Sequence, residues 1–148
     1  MEAIIFTGIP GSGKSSFYLD HFFATHVRIS LDLLKTRARQ NRFLEACLQT
    51  GQKFVVDNTN PSREERTKYL KLSKPAGFSL IGYYFASPVN PCLQRNAERE
   101  PPARVPDVAI LSAARRLQRP SLEEGFDQLF YVSLQAGKFQ VEEWNDEL

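Results

Sequence analysis

Short apolar runs alternate along this chain with longer segments in which apolar residues recur at helical spacing. The apolar runs predict strands at residues 3–7, 27–30, 54–56, 78–85 and 129–133, with a short hairpin to 139–141. The segments between them predict helices at residues 14–23, 32–49, 62–72, 88–98 and 106–117. This alternation is typical of an α/β fold, in which a parallel sheet is covered by helices on both faces.

The residues that follow the predicted strands are the first place to look for chemistry. In open parallel sheets, ligands bind beyond the carboxyl ends of the strands. We therefore expect the polar residues after strands 3–7, 27–30 and 54–56 to meet at one edge of the sheet.

A glycine-rich segment, Gly8-Ile9-Pro10-Gly11-Ser12-Gly13-Lys14-Ser15, follows the first predicted strand and opens the first predicted helix. It matches the P-loop pattern at every fixed position, and its backbone N–H groups are expected to surround phosphate oxygens. Lys14 is expected to reach the β- and γ-phosphates, and the Ser15 hydroxyl is expected to be a ligand of Mg²⁺. The predicted ATP-binding residues of this segment are Gly8, Pro10, Gly11, Ser12, Gly13, Lys14, Ser15 and Ser16.

The rest of the chain narrows the class of nucleotide-binding protein. No Asn-Lys-x-Asp segment, which GTPases use to read guanine, occurs in the sequence. No predicted strand ends in the Asp-Glu pair that is common in motor ATPases. A small ATP-dependent kinase with a P-loop NTPase fold is therefore the predicted class.

Two aspartates follow the second and third predicted strands. Asp32 would lie at the rim of the site, either to receive the proton of an acceptor hydroxyl or to complement the start of a helix. Asp57 begins the segment Asp57-Asn58-Thr59-Asn60-Pro61 and could contact Lys14, Ser15 or metal-bound water. In the alternative, this segment caps a helix through Asn60 or Thr59, with Pro61 as its first residue.

Arg95 and Arg99 share one face of a predicted helix, and a proline-rich connection follows them at residues 100–106. This arrangement predicts a helical lid at about residues 95–118, whose arginines close over ATP and neutralise the transferring phosphoryl group. The alternative is a surface helix whose arginines pair with Glu98 and Glu100.

The chain has 148 residues, which suits one domain over residues 1–148. No apolar run is long enough to span a membrane, and the first residues do not resemble a signal peptide. Cys47 and Cys92 lie among apolar neighbours, so we expect both to be reduced thiols in the core. These features together predict a cytoplasmic protein without a membrane partner.

The formal net charge of +2 is unevenly distributed. Four acids fall in a short acidic tail at residues 142–148, so the rest carries 19 basic and 13 acidic residues. Two basic clusters stand out: Arg28, Lys35, Arg37, Arg39 and Arg42, and then Arg95, Arg99, Arg104, Arg115, Arg116 and Arg119. Such clusters are either solvated helix faces or surfaces that face a nucleotide or a polyanion.

Several segments together resemble the kinase domain of the polynucleotide 5′-hydroxyl kinases of phage and animals. They are residues 8–15, 29–32, 55–61, 94–96 with Arg99, 105–107 and 120–126. The resemblance as a whole extends over nearly the entire chain, from Ile4 to about Val132. The segments Asp57-Asn58-Thr59-Asn60-Pro61 and Pro120-Ser121-Leu122-Glu123-Glu124-Gly125-Phe126 resemble the animal branch most specifically.

The resemblance implies a role for each matching residue. Asp32 would be the general base, Lys14 and Arg99 would act with it in catalysis, and Arg95 would lie near the nucleotide. Lys35 replaces an arginine that contacts a substrate phosphate, and Ser30-Leu31-Asp32 stands where the family has Asn-Arg-Asp. The expected substrate-binding residues are Lys35, Arg37, Arg39, Asp57 and Asn58.

The implied reaction is transfer of the γ-phosphate of ATP, with Mg²⁺, to the 5′-hydroxyl of a DNA or RNA end during end repair. No Asp-x-Asp-x-Thr phosphatase motif occurs in this sequence, so we expect a kinase alone, with a separate phosphatase or ligase as a potential partner. Two alternatives remain: a kinase for a sugar, nucleoside or antibiotic, and an ATP-binding regulator that transfers no phosphate.

Overall fold

A computed structural model describes residues 1–86 and 88–145. The strands are β1 (Glu2–Thr7), β2 (Val27–Ile29), β3 (Phe54–Val56), β4 (Ser79–Phe85), β5 (Gln128–Gln135) and β6 (Lys138–Glu143). The helices are α1 (Lys14–His21), α2 (Leu31–Leu34), α3 (Arg37–Thr50), α4 (Arg63–Ser73), α5 (Val89–Ala97) and α6 (Asp107–Arg116). A single 3-10 turn follows at Leu122–Glu124.

The strands form one sheet in the order β2-β3-β1-β4-β5-β6. The first five strands of this order are parallel, and β6 pairs antiparallel with β5. The α/β architecture predicted from the sequence is therefore confirmed. Because β1 lies between β3 and β4, the loop that follows β1 emerges at the centre of the carboxyl edge of the sheet.

The core lies on both faces of the sheet, as the continuous apolar character of β1 requires. Alternate residues of β1 point to opposite faces: Ala3 and Ile5 belong to one buried cluster, and Ile4 and Phe6 to the other. The second cluster includes Phe17 of α1, whose ring meets that of Phe6 edge-on at 5.9 Å. These contacts fix α1, and with it the start of the helix at Lys14, against the sheet.

The prediction of one continuous helix at residues 32–49 is wrong, because this segment forms two helices, α2 and α3. Lys35 ends α2 with a φ of +76°, a conformation that residues other than glycine rarely adopt. Thr36 then caps α3 by accepting a hydrogen bond from the backbone N–H of Arg39. The break leaves Asp32 on a separate helical turn.

The range predicted for α4, residues 62–72, is within one residue of the observed helix, but the predicted cap is wrong. Ser62, not Asn60 or Thr59, caps this helix by accepting from the backbone N–H of Glu65, so Pro61 precedes the helix. The Asn60 amide donates to the Phe6 carbonyl oxygen at 2.7 Å, and this residue has a φ of +45°. Asn60 therefore joins the loop after β3 to the end of β1.

A buried arginine on α4 connects three segments. The Arg66 guanidinium, fully buried, donates to Glu124 Oε1 at 2.8 Å and to Oε2 at 3.0 Å. Its third contact is the Asn60 carbonyl oxygen at 3.0 Å. The Glu124 carboxylate also accepts from the backbone N–H of Ser121. Arg66 thus joins the two sequence segments that resemble the animal kinases most specifically.

Helices α5 and α6 occupy most of the predicted lid, and their apolar side chains pack on the P-loop residue Ile9 through Cys92 and Ile110. Both cysteines are free thiols and buried. Of the predicted acidic tail, Glu142 and Glu143 belong to β6, whereas residues 146–148 lie outside the described residues. Within residues 1–86 and 88–145, no helix is long and apolar enough to span a membrane.

We predict that Glu124→Ala lowers the free energy of unfolding by about 3 kcal/mol, because it leaves the buried Arg66 guanidinium without its carboxylate. Urea unfolding followed by circular dichroism measures this change. The matched control is Glu123→Ala, which removes an exposed carboxylate next to it and should cost less than about 0.5 kcal/mol. Equal losses in the two variants would contradict the role given to the ion pair.

Candidate active site

The P-loop connects the end of β1 to α1 and is tightly enclosed. Gly11 and Gly13 have φ values of +85° and +96°, which glycine adopts without strain. A Cβ atom at Gly11 would lie 2.7 Å from the Cys92 carbonyl oxygen, and one at Gly13 would lie 2.9 Å from the Phe139 ring. Helix α5 and strand β6 therefore both require glycine in this loop.

The loop has the polar groups that a chain of phosphates requires. Lys14 Nζ donates to the carbonyl oxygens of Gly8 at 2.8 Å and Ile9 at 3.1 Å. Burial lowers the pKa of this ammonium group, and the Asp57 carboxylate partly offsets that effect. The buried Ser12 hydroxyl has no hydrogen-bond partner in the described part of the chain. Phosphate oxygens would satisfy both groups, so the loop fits a nucleoside triphosphate.

Asp57, directly after β3, forms a hydrogen-bonded group with Ser15 of α1 and Arg28 of β2. The Ser15 hydroxyl donates to Asp57 Oδ2 at 3.1 Å. Arg28 donates to the same Asp57 oxygen through Nε at 2.8 Å and to Ser15 Oγ through Nη2 at 3.0 Å. The Ser15 and Asp57 oxygen atoms thus lie side by side, and such oxygen donors are the ligands that Mg²⁺ prefers beside phosphates.

Arg28 has no individual role that can be read from the sequence, where it is one member of a basic cluster. Its charge within the apolar strand 27–30 was the available signal. A charged residue within a strand that is partly buried is expected to have a partner.

A cavity of about 120 Å³ lies at the P-loop. Gly11, Lys14 and Ser15 line one part of it, and Asp57 and Asn58 of the loop after β3 line another. Asp32 of α2 and Arg99 also line this cavity, although each comes from a different segment of the chain. We refer to it as the phosphate cavity.

A second cavity of about 500 Å³ adjoins the first and is lined by Arg28, Leu31, Lys35 and Pro102. The residues that line both cavities are Ser15, Asp32, Arg99, Ala103 and Val105. We refer to this second space as the acceptor cavity. The shared lining places the Asp32 carboxylate and the Arg99 guanidinium at the junction between the two spaces.

The remaining predicted substrate-binding residues divide into two groups. Lys35 lines the acceptor cavity, whereas Arg37 donates to the Tyr69 hydroxyl at 3.2 Å. Arg39 is exposed on α3. Among the described residues, neither Arg37 nor Arg39 belongs to the lining of the two cavities. Of the basic cluster at residues 28–42, Arg28 and Lys35 therefore line the acceptor cavity.

Asn58 lines the phosphate cavity, but its amide group holds neighbouring elements in place. Its Oδ1 accepts from the backbone N–H of Leu31 at 2.9 Å, and its Nδ2 donates to Gln40 Oε1 at 2.7 Å. Gln40, which is buried, donates in turn to the Tyr69 hydroxyl. This chain of hydrogen bonds fixes α2, the helical turn that carries Asp32, against α3.

The two predicted lid arginines line different cavities. Arg95 donates to the Gly11 carbonyl oxygen and lines a third cavity of about 500 Å³ with Tyr84 and Tyr131. Arg99 lines the phosphate and acceptor cavities. Within the described ranges, neither arginine forms an ion pair with Glu98 or Glu100, which disfavours the alternative of a salt-bridged surface helix.

Two curated proteins are similar to almost the whole chain. A bifunctional polynucleotide phosphatase/kinase of Schizosaccharomyces pombe is 26% identical over 97% of this chain and 36% of its own length. A putative bifunctional polynucleotide phosphatase/kinase of Acanthamoeba polyphaga mimivirus is 28% identical over 96% of this chain and 35% of its own length. The chain thus spans about a third of the length of these relatives. The resemblance to polynucleotide kinases stated from the sequence is confirmed.

Solved structures show the same fold at lower identity. Chaetomium thermophilum Kti12, in complex with ADP-AlF3, has a TM-score of 0.67 and 17% identity, covering 88% of each chain. A gluconokinase from Sinorhizobium meliloti has a TM-score of 0.61 and 19% identity, covering 89% of this chain and 82% of its own. The fold is therefore that of the P-loop kinases.

A model of the AAA domain family AAA_33 matches residues 33–120. That match begins after the P-loop, so the phosphate-binding segment at residues 8–15 is independent of it. It includes the segment after β3, both lid arginines and α6. The chain belongs to the AAA domain family AAA_33, a family of P-loop kinase domains.

Proposed function

We propose that this protein transfers the γ-phosphoryl group of ATP to the 5′-hydroxyl of a DNA or RNA end. The observation that carries the proposal is the position of Asp32 and Arg99, which line both the phosphate cavity and the acceptor cavity. Phosphoryl transfer requires one space for the phosphates, a second for the acceptor, and catalytic groups where the two meet.

In the proposed reaction, the acceptor hydroxyl oxygen bonds to the γ-phosphorus while the bond to the β,γ-bridging oxygen breaks, and ADP leaves. The Asp32 carboxylate accepts the hydroxyl proton. Lys14 and Arg99 neutralise charge on the phosphoryl oxygens, and the P-loop N–H groups hold the β-phosphate. Ser15 and Asp57 would hold Mg²⁺, which would supply positive charge to offset that of the phosphates.

The lining of the acceptor cavity favours an anionic acceptor. Three cationic side chains, those of Arg28, Lys35 and Arg99, line it together with the single acid Asp32. A nucleic acid end presents a hydroxyl beside backbone phosphates, so it offers both a nucleophile and partners for these cations. The names of the two curated relatives support the same acceptor class.

Arg95 is proposed to contact the nucleotide. Its guanidinium already reaches the P-loop, since it donates to the Gly11 carbonyl oxygen, and it lines a separate cavity with aromatic residues. This cavity is large enough for the nucleoside part of ATP.

A kinase for a sugar, nucleoside or antibiotic is the second candidate. The acceptor cavity, at about 500 Å³, has a volume typical of small-molecule pockets. A gluconokinase is also among the structures with this fold. The two candidates differ in how acceptor binding depends on salt. An acceptor with several backbone phosphates binds more weakly as the salt concentration rises, whereas an uncharged acceptor does not. An ATP-binding regulator, the third alternative, would form no phosphorylated product.

We predict that Asp32→Asn lowers turnover about 10²- to 10⁴-fold, because the acceptor hydroxyl loses the group that takes its proton. Transfer of labelled phosphate from Mg·ATP to a 5′-hydroxyl oligonucleotide measures this change, and calorimetry should give nearly the same ADP affinity as for the unaltered protein. Asp20→Asn, an exposed position on α1, is the matched control and should retain full turnover. Retained transfer by Asp32→Asn would refute its role as the base.

We also predict that Lys35→Gln raises the oligonucleotide KM about tenfold with little change in kcat, because it removes a cation from the acceptor cavity. The KM of the unaltered protein should rise with salt. Lys53→Gln, an exposed lysine just before β3, is the control and should match the unaltered protein. If nucleosides or sugars are phosphorylated at salt-independent rates and DNA and RNA ends are not, the acceptor is a small molecule.

A further inference from the structure

Arg28 occupies the place where a metal ion would contact the protein. Its guanidinium bridges Asp57 Oδ2 and Ser15 Oγ with N···O distances of 2.8 and 3.0 Å. Oxygen ligands of Mg²⁺ lie at about 2.1 Å from the ion, so an ion bound by these two oxygens on the side that Arg28 occupies would overlap the guanidinium. The two cations therefore exclude each other at this position.

The surrounding charges strengthen this exclusion. Asp57 is the one carboxylate of this hydrogen-bonded group, and its side chain is only 2% exposed. Lys14 and Arg99 line the same phosphate cavity, so an added divalent cation meets three positive side chains while Arg28 stays in place. Departure of Arg28 frees the Asp57 carboxylate and removes one of the three positive charges.

Arg28 has a second position available to it. Its side chain is about 25% exposed, and it lines the acceptor cavity together with Lys35. A guanidinium can bind a phosphate through two parallel hydrogen bonds, which an ammonium group cannot do. A guanidinium released from Asp57 can therefore face an anionic acceptor after a change of side-chain rotamer.

We propose that Arg28 acts as an exchangeable cation. It holds Ser15 and Asp57 when no metal is bound, leaves them when Mg·nucleotide binds, and then contacts the acceptor. The proposal rests on the metal-dependent phosphotransfer proposed above. It makes Arg28 a positioning residue for the metal and a specificity residue for the acceptor. It also gives a reason for an arginine in a strand that is otherwise apolar.

The first experiment measures ADP affinity by calorimetry, with saturating Mg²⁺ and with a chelator. With Mg²⁺, Arg28→Gln should bind ADP about tenfold more tightly than the unaltered protein, because no guanidinium has to be displaced. With the chelator it should bind no more tightly. Arg28→Lys, which keeps the charge but not the double contact, should lie between the two.

Arg63→Gln, an exposed arginine at the start of α4, is the matched control and should leave both ADP affinities unchanged. Circular dichroism and the melting temperature establish that each variant is folded. If Arg28→Gln binds Mg·ADP equally or more weakly, Arg28 does not compete with the metal and the proposal is overturned. This result is independent of the acceptor, because no acceptor is present.

The second experiment adds a 5′-hydroxyl oligonucleotide. In the unaltered protein, Mg·ADP should tighten oligonucleotide binding relative to ADP with chelator, because Arg28 is then free for the acceptor. Arg28→Gln should lose this increment, and an unchanged increment would overturn the second part of the proposal. If the oligonucleotide binds to neither protein, the acceptor assignment is contradicted, whereas the ADP comparison still decides whether Arg28 and Mg²⁺ compete.

Discussion

The buried ion pair between Arg66 and Glu124 is the constraint on which the position of the active-site loops depends. It is formed by residues far apart in the chain. Each of the three guanidinium nitrogens of Arg66 donates a hydrogen bond, two to Glu124 and the third to the Asn60 carbonyl oxygen. Removing either charge would leave the other buried and unpaired, at a cost comparable to a large part of the stability of a small domain. The loop after β3 is held between this pair and the end of β1.

That loop controls both sides of the phosphate cavity. Its Thr59 carbonyl accepts from the Gly8 N–H, which fixes the entry of the P-loop, and Asp57 holds Ser15 at the exit. Asn58 of the same loop holds α2, and with it Asp32. A rigid loop outside the P-loop therefore sets the geometry between the phosphate-binding groups and the proposed base, as preorganised catalysis requires.

Much of the fold could be predicted because β1, β3 and β4 are buried and therefore apolar, and because the P-loop requires glycine at fixed positions. The break at Lys35 could not be predicted, since no glycine or proline marks it and since α2 is held by Asn58, which is distant in the sequence. Arg28 and Arg66 were not identified for the same reason. Their partners, Asp57 and Glu124, come close only after folding.

The antiparallel strand β6 has a consequence for self-association. A sheet that ended at β5 would expose the backbone of an eight-residue strand, a template on which a second chain could add a strand. β6 covers that backbone and presents Lys138, Glu142 and Glu143 at the new edge. The opposite edge is β2, which has only three residues and carries a charged one. The charged residues of β6 and the short length of β2 therefore both disfavour pairing of this sheet with a strand of another molecule.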